Sequence, residues 1–223
     1  MIPQTKLTTV KRQAAHSNIP RAAASVREGQ WPTFSDTAVG EAAFIKCEDD
    51  EILPIIAELY LQSGTETQIL SATKHCSFAG THAINRMLRG RCGNAQSRVA
   101  APANWSGEEL CVGDRVMYIR NEWSRNLHNG SLGVVTSVSG CRMGEEPGTD
   151  LNRQALGAVA FENRDIELFA PDLDLLDYAY AITIHKTQGS QFPRVLVALR
   201  RSRALDRTLS EMLMSSSEDG SST

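Results

Sequence analysis

No Gly-Lys dipeptide occurs in the 223 residues of this chain. A phosphate-binding loop ends in Gly-Lys-Ser/Thr, because backbone amides and a lysine ammonium together cradle the phosphates. That loop is therefore excluded from this sequence. No four-residue apolar strand runs into an Asp-Glu pair either; Asp49-Asp50-Glu51 has its apolar residues mostly after it and reads as a charged helix start. The five cysteines (Cys47, Cys76, Cys92, Cys111, Cys141) form no C-x-x-C pair. This argues against a disulfide framework and for a reducing compartment, the cytoplasm. His75, Cys76, His82 and Cys92 fit no zinc spacing, so no metal site is expected. No apolar run approaches the roughly 18 residues of a membrane span, and the first thirty residues lack a signal-peptide core. An excess of cations is missing too. Lys and Arg number 23 against 26 Asp and Glu, for a net charge of −3. Nucleic-acid binding would have to rest on a local patch.

What is present is ordinary for a soluble globular protein, with 41% hydrophobic and 22% charged residues, enough for one large domain or two small ones. Ser17-Asn18-Ile19-Pro20 followed by Arg21 to Glu28 and Gly29 predicts a helix with a capping residue, a first-turn proline and a glycine stop. Glu51 to Gln62 carries Ile52, Ile55, Ile56 and Leu59 at helical spacing. Gln68 to Ser71 reads as a short strand, and Gly80-Thr81 opens a third helix that stops at Gly90. From about Glu109 the period changes to that of strands: Asp114 to Arg120, Leu132 to Val138, Gly157 to Phe161 and Ile166 to Phe169, with His128-Asn129-Gly130 as a turn. This is a small β-barrel pattern set between two α/β segments. Gly140 to Asn152 reads as a polar loop, and the Ser/Gly/acidic tail from Ser215 as disordered. Arg194, Arg200, Arg201, Arg203 and Arg207 cluster near the C-terminus; a solvated helix face and phosphate contact explain them equally well.

The most informative block is Ala181-Ile-Thr-Ile-His-Lys-Thr-Gln-Gly-Ser-Gln191, a polar string between two apolar runs, the second being Val195 to Leu199. Polar loops at the ends of buried strands are where α/β sheets keep their ligands. This block resembles motif V of RecD-like superfamily 1 DNA helicases, which lies in the second RecA-like motor domain and touches single-stranded DNA and nucleotide. Three other blocks resemble the same family in the same order. Leu7-Thr-Thr-Val-Lys-Arg-Gln13 is similar to motif IV, with Arg12 as its arginine. Ala72-Thr73-Lys74 through Gly80-Thr81 and Asn85 is similar to the segment that sets a helix N-terminus against the DNA backbone. Gly113-Asp-Arg-Val-Met117, Asn121 and Asn129-Gly130 are similar to the family's SH3-like insertion. The resemblance runs from about residue 5 to about residue 207. It departs at Gln191, where the family usually has glutamate for the nucleotide ribose, and after Arg207, where motif VI and its catalytic arginine are expected.

The resemblance implies an α/β fold: an incomplete RecA-like parallel-sheet domain with an inserted small SH3-like β-barrel. Residues 1–108 and 172–207 would form the two parts of the RecA-like domain, 109–171 the insertion, and 208–223 a disordered tail. It implies a catalytic role for Arg12, nucleotide contact by Arg12, Gly189 and Gln191, and DNA contact by Thr73, Gly80, Thr81, Thr183, His185 and Lys186. The implied cofactor is ATP with Mg, shared with a P-loop domain not in this chain, and not bound tightly by this chain alone. The implied partners are single-stranded DNA, a separate P-loop helicase domain and a second copy of the chain, with no membrane. ATP turnover by these 223 residues alone is not expected. Two readings remain beside the half-motor: a non-catalytic DNA-binding module, and an inactive remnant of a truncated gene. His185 has a competing structural reading as a core histidine that orients its own loop, and Asn129-Gly130 reads better as a turn than as a binding element.

Overall fold

The structure, a computed structural model, describes residues 18–32, 42–64, 66–92, 98–99, 110–138, 155–162, 164–188 and 190–200. The expected motif IV with Arg12, the loop from Gly140, Gly189, and the tail with Arg201, Arg203 and Arg207 lie outside them. The chain divides into two compact units. The first comprises Met1–Lys74, Phe78–Gly80 and Thr183–Thr223; the second comprises His75–Ser77 and Thr81–Ile182.

In the first unit, helix α1 spans Ile19–Arg27 with Pro20 in its first turn. Asn18 does not cap it with its side chain. Instead the Asn18 amide donates to the Ala42 carbonyl at 3.3 Å and accepts the Ala42 N–H at 2.8 Å. A local cap has given way to a tie across 24 residues of sequence, which satisfies both backbone groups of Ala42. The acidic run Asp49–Glu51 forms a 3-10 turn that leads straight into helix α2, Ile52–Ser63. Glu51 accepts the Glu48 N–H at 2.9 Å, so the charges sit where the helix dipole favours them. α2 buries Ile52, Ile56, Ala57 and Tyr60 and ends at Gly64, φ 79°.

Strand β1, Thr67–Ser71, is buried at every position, the signature of a parallel strand covered on both faces. It pairs in parallel with the last described strand, Arg194–Ala198, in the register Thr67↔Arg194 to Ser71↔Ala198. Arg200, just beyond that strand, lies 2.6 Å from Asp49 and 5.3 Å above the Phe78 ring. At Arg200 the C-terminal arginine cluster thus serves internal contacts of the first unit.

The second unit opens with α3, Thr81–Cys92. The helix runs two residues past Gly90, because a glycine inside a helix costs only about 1 kcal/mol. Strands β2 (Arg98–Val99) and β3 (Leu110–Cys111) pair antiparallel. A five-stranded antiparallel sheet follows, built from β4 (Arg115–Tyr118), β5 (Leu132–Val138), β6 (Gly157–Phe161), β7 (Arg164–Leu168) and, after the short helix α4 (Ala170–Leu173), β8 (Leu176–Tyr178). The order is β7-β6-β5-β4-β8. Val116, Val135, Val159, Phe161, Leu168 and Leu176 alternate inward to form its core. A register shift between Val135 and Ser137 leaves Thr136 as a bulge, its hydroxyl donating to the Ala158 carbonyl at 3.2 Å.

The Gly-Asp-Arg-Val-Met block owes its pattern to Asp114. This carboxylate is fully buried, accepting the Cys111 N–H at 2.7 Å and the Tyr180 hydroxyl at 2.9 Å. It fastens the turn before β4 to the chain after β8. Asn129-Gly130 is part of a turn, with Gly130 at φ 103° and its N–H on the Tyr118 carbonyl at 2.8 Å. The observed geometry is the structural one, a position that needs positive φ.

β6 begins on a second constrained glycine. A Cβ on Gly157 would run into the Ser137 carbonyl oxygen and lie 3.1 Å from the Val138 Cα. Both are backbone atoms of β5, so a larger residue must push the two strands apart. Gly157→Ala is expected to cost about 1–3 kcal/mol. Chemical denaturation should show a lowered midpoint at unchanged slope; an unchanged midpoint would mean that the β5–β6 ladder yields freely.

Candidate nucleic-acid interface

The polar block sits at the carboxyl end of strand β9, Ala181–Thr183, where the chain passes from the second unit back into the first. Ala181 and Ile182 are buried, and the strand gives way to a 3-10 turn, Ile184–Thr187. Two residues of that turn face inward. Ile184 is fully buried, and Thr187 is buried with its hydroxyl on the Ile184 carbonyl at 2.7 Å. The residues between and after them face outward. His185 and Gln188 are exposed, while Thr183 and Lys186 are half-buried. His185 is thus not a core histidine: Ile184 takes the core position, and the tight turn rotates the next side chain out. One hydroxyl and one apolar side chain anchor the turn, leaving hydrogen-bonding and cationic groups displayed at a strand end.

Thr73 and Gly80 lie on the loop that leaves the carboxyl end of β1. The Ser71 hydroxyl organises that loop, donating to the Ala79 carbonyl at 2.6 Å and accepting the Thr73 N–H at 3.2 Å. Thr73 is half-buried and Gly80 buried. Thr81, the first residue of α3, is also buried, so what it could offer a ligand is its backbone amide. Asn85, four residues on, faces inward. Its side-chain NH₂ donates to the Tyr178 and Ala181 carbonyls at 2.9 and 3.0 Å, and its carbonyl oxygen accepts the Ala181 N–H at 2.7 Å. With Arg89 5.1 Å over the Tyr178 ring, Asn85 fastens α3 to the segment that leads into β9. In the sequence Asn85 stood out only as part of the block similar to the DNA-facing segment; the clasp itself rests on distant partners that no local pattern contains.

Gln191 is exposed, and the positive-φ glycines among the described residues (Gly29, Gly64, Gly113, Gly130) are followed by Gln30, Thr65, Asp114 and Ser131, never by lysine. The described residues hold no group of three His, Cys, Asp or Glu side chains placed for a metal ion. No helix among the described residues is long and apolar enough to cross a membrane.

No family model matches the chain. It is 27% identical over 199 residues to the ATP-dependent RecD2 DNA helicase of Deinococcus radiodurans, covering 88% of this chain and 25% of that protein. It is 33% identical over 97 residues to the RecBCD enzyme subunit RecD of Buchnera aphidicola, covering 42% of this chain and 14% of that protein. Among solved structures, Bacteroides Pif1 bound to ssDNA superimposes with a TM-score of 0.55 at 17% identity, over 97% of this chain and 51% of that one. The chain is thus similar in sequence to RecD-type DNA helicases, and its mixed α/β structure with parallel strand pairing matches the fold of the Pif1 chain. It spans about a quarter of the length of the RecD2 protein and about half of the Pif1 chain.

Proposed function

We propose that this chain is the second-motor-domain, single-stranded-DNA-binding portion of a RecD-like helicase. In this reading Thr183 at the end of β9, and His185 and Lys186 in the turn after it, contact the DNA strand. Thr73 and Gly80 contribute from the loop after β1, and the Thr81 amide offers a further phosphate contact at the head of α3. Residues 1–108 and 172–207 are the RecA-like parts, and 109–171, which hold strands β3 to β7, are the SH3-like insertion. Arg12, Gly189 and Gln191 are the residues that would contact a nucleotide, with its phosphates and magnesium held by a separate P-loop domain. The 223 residues alone do not hydrolyse ATP, for want of a Gly-Lys-Ser/Thr loop. The observation that carries the reading is the turn Ile184–Thr187, where buried Ile184 and Thr187 leave His185 exposed and Lys186 half-buried at a strand end.

The test is fluorescence anisotropy with an oligothymidylate across a salt series. Log K is expected to fall with log salt by about 0.7 per phosphate neutralised. Lys186→Ala should reduce that slope by about one such step, because the lysine meets the backbone and not the bases. Salt-independent binding, or a slope that Lys186→Ala leaves untouched, would place the contact elsewhere. DNA-stimulated ATP turnover by the same sample would overturn the half-motor part of the proposal.

A further inference from the structure

The loop between β4 and β5 carries the most exposed large apolar side chain among the described residues. Trp123 is 75% exposed. Its ring meets the His128 ring edge-on, centroids 5.1 Å apart at 68°. A surface tryptophan on a floppy loop would be unremarked, but this loop is tied at many points. Glu122 and Leu127 form a β-bridge around a 3-10 turn, Trp123–Arg125, that closes on Asn126 in the left-handed region. Leu127 is buried. Asn121 accepts the Asn129 N–H at 2.8 Å, and Tyr118 donates its hydroxyl to Glu122. Arg125 donates to Asp172 at 2.5 Å and to the Glu167 carbonyl at 2.7 Å, which pins the turn to the chain around α4. Burial and the bond to Glu122 hold the Tyr118 phenol well above its ordinary range.

Rigidity changes what the exposed ring can do. Two aromatic rings held outward in a fixed pose lose little entropy on meeting a flat partner. Ile119 to Ser131 carries two arginines, Arg120 and Arg125, and one glutamate, Glu122. Of those arginines, Arg125 is engaged with Asp172 while Arg120 is exposed. A flat ring three residues along the chain from an exposed cation offers the two groups that bind unpaired nucleotides, a ring for the base and a cation for the phosphate.

We propose that the Trp123–His128 pair is a base-stacking platform for single-stranded nucleic acid, with Arg120 as its phosphate contact. It rests on the single-strand reading above and adds a site outside the polar turn after β9. Stacking and charge leave different marks on binding, and the two readings separate on them. Trp123→Ala is expected to weaken oligothymidylate binding at least about fivefold, the lower end for one stacked base, with the salt slope unchanged. Trp123→Phe should keep most of the affinity. On an abasic oligonucleotide of the same length, wild type and Trp123→Ala should bind alike. Arg120→Ala should lower the salt slope. If wild type binds the oligothymidylate and Trp123→Ala binds it equally well, the platform is overturned while the single-strand reading stands. If Trp123→Ala weakens abasic and thymidine strands equally, the ring is not stacking on bases and the proposal also fails. Wild type without affinity for either strand overturns both readings.

Discussion

Asn85→Ala is expected to be among the most damaging substitutions in this protein, costing about 3 kcal/mol. Three backbone groups, the carbonyls of Tyr178 and Ala181 and the N–H of Ala181, take their bonds from one buried amide. Alanine leaves all three without that partner, and a buried polar group without a bond costs more than the bond itself contributes. At this chain length the loss corresponds to roughly 6–12 °C in melting temperature, read by calorimetry. Asn85→Asp sharpens the test. It keeps the acceptor for Ala181 but aims a carboxylate at two carbonyl oxygens, so at neutral pH it should do no better than alanine. A loss below about 1 kcal/mol for Asn85→Ala would mean that the segment before β9 finds other partners.

Asp114→Ala follows closely, at about 2–4 kcal/mol, because its two donors are also buried. The energy divides in a way that a mutant cycle resolves. Tyr180→Phe removes one donor together with its need for a partner, and should cost about 1 kcal/mol. In that background Asp114→Ala leaves only the Cys111 N–H bereft, so its cost should drop by about 1 kcal/mol or more. Strict additivity in urea denaturation would show that the Tyr180 hydroxyl and Asp114 do not act as a pair. Asp114→Asn, which retains an oxygen acceptor, should fall between wild type and alanine.

Both residues show what the sequence made visible and what it hid. Strands β5 and β6 lie at Leu132–Val138 and Gly157–Phe161, the limits that their apolar spacing predicts. Period-two alternation is a local property, and half-buried antiparallel strands express it fully. Asp114 stood out in the sequence as part of a family-like block, but its reason is the distant Tyr180, which no local pattern contains. Asn18 was legible as a cap by residue type, yet it bonds Ala42 because tertiary partners outbid local ones. Of the candidate contacts, Thr183 ends strand β9 and His185 and Lys186 fall on the turn that follows it, as their adjacency requires. Whether His185 faced core or solvent depended on the 3-10 geometry, which a four-residue polar string does not specify. The Trp123–His128 contact was out of reach for the same reason: it is made by a left-handed Asn126 and a buried Leu127, not by spacing.

The insertion of one unit within the other has a consequence for how the chain finds its structure. The parallel pair in the first unit joins Thr67 to Arg194, 127 residues further along. Closing so long a loop in an unfolded chain is entropically costly, and folds dominated by such contacts form slowly. The second unit reduces that cost when it forms first. Its Asn85 clasp holds Ala181 against α3, so the effective loop between β1 and its partner strand shrinks to roughly a quarter of its length. Two halvings of a loop are worth about 1.2 kcal/mol of closure entropy, or about eightfold in the rate of that pairing. The loop-closure difference favours formation of the antiparallel sheet and α3 before the parallel pair.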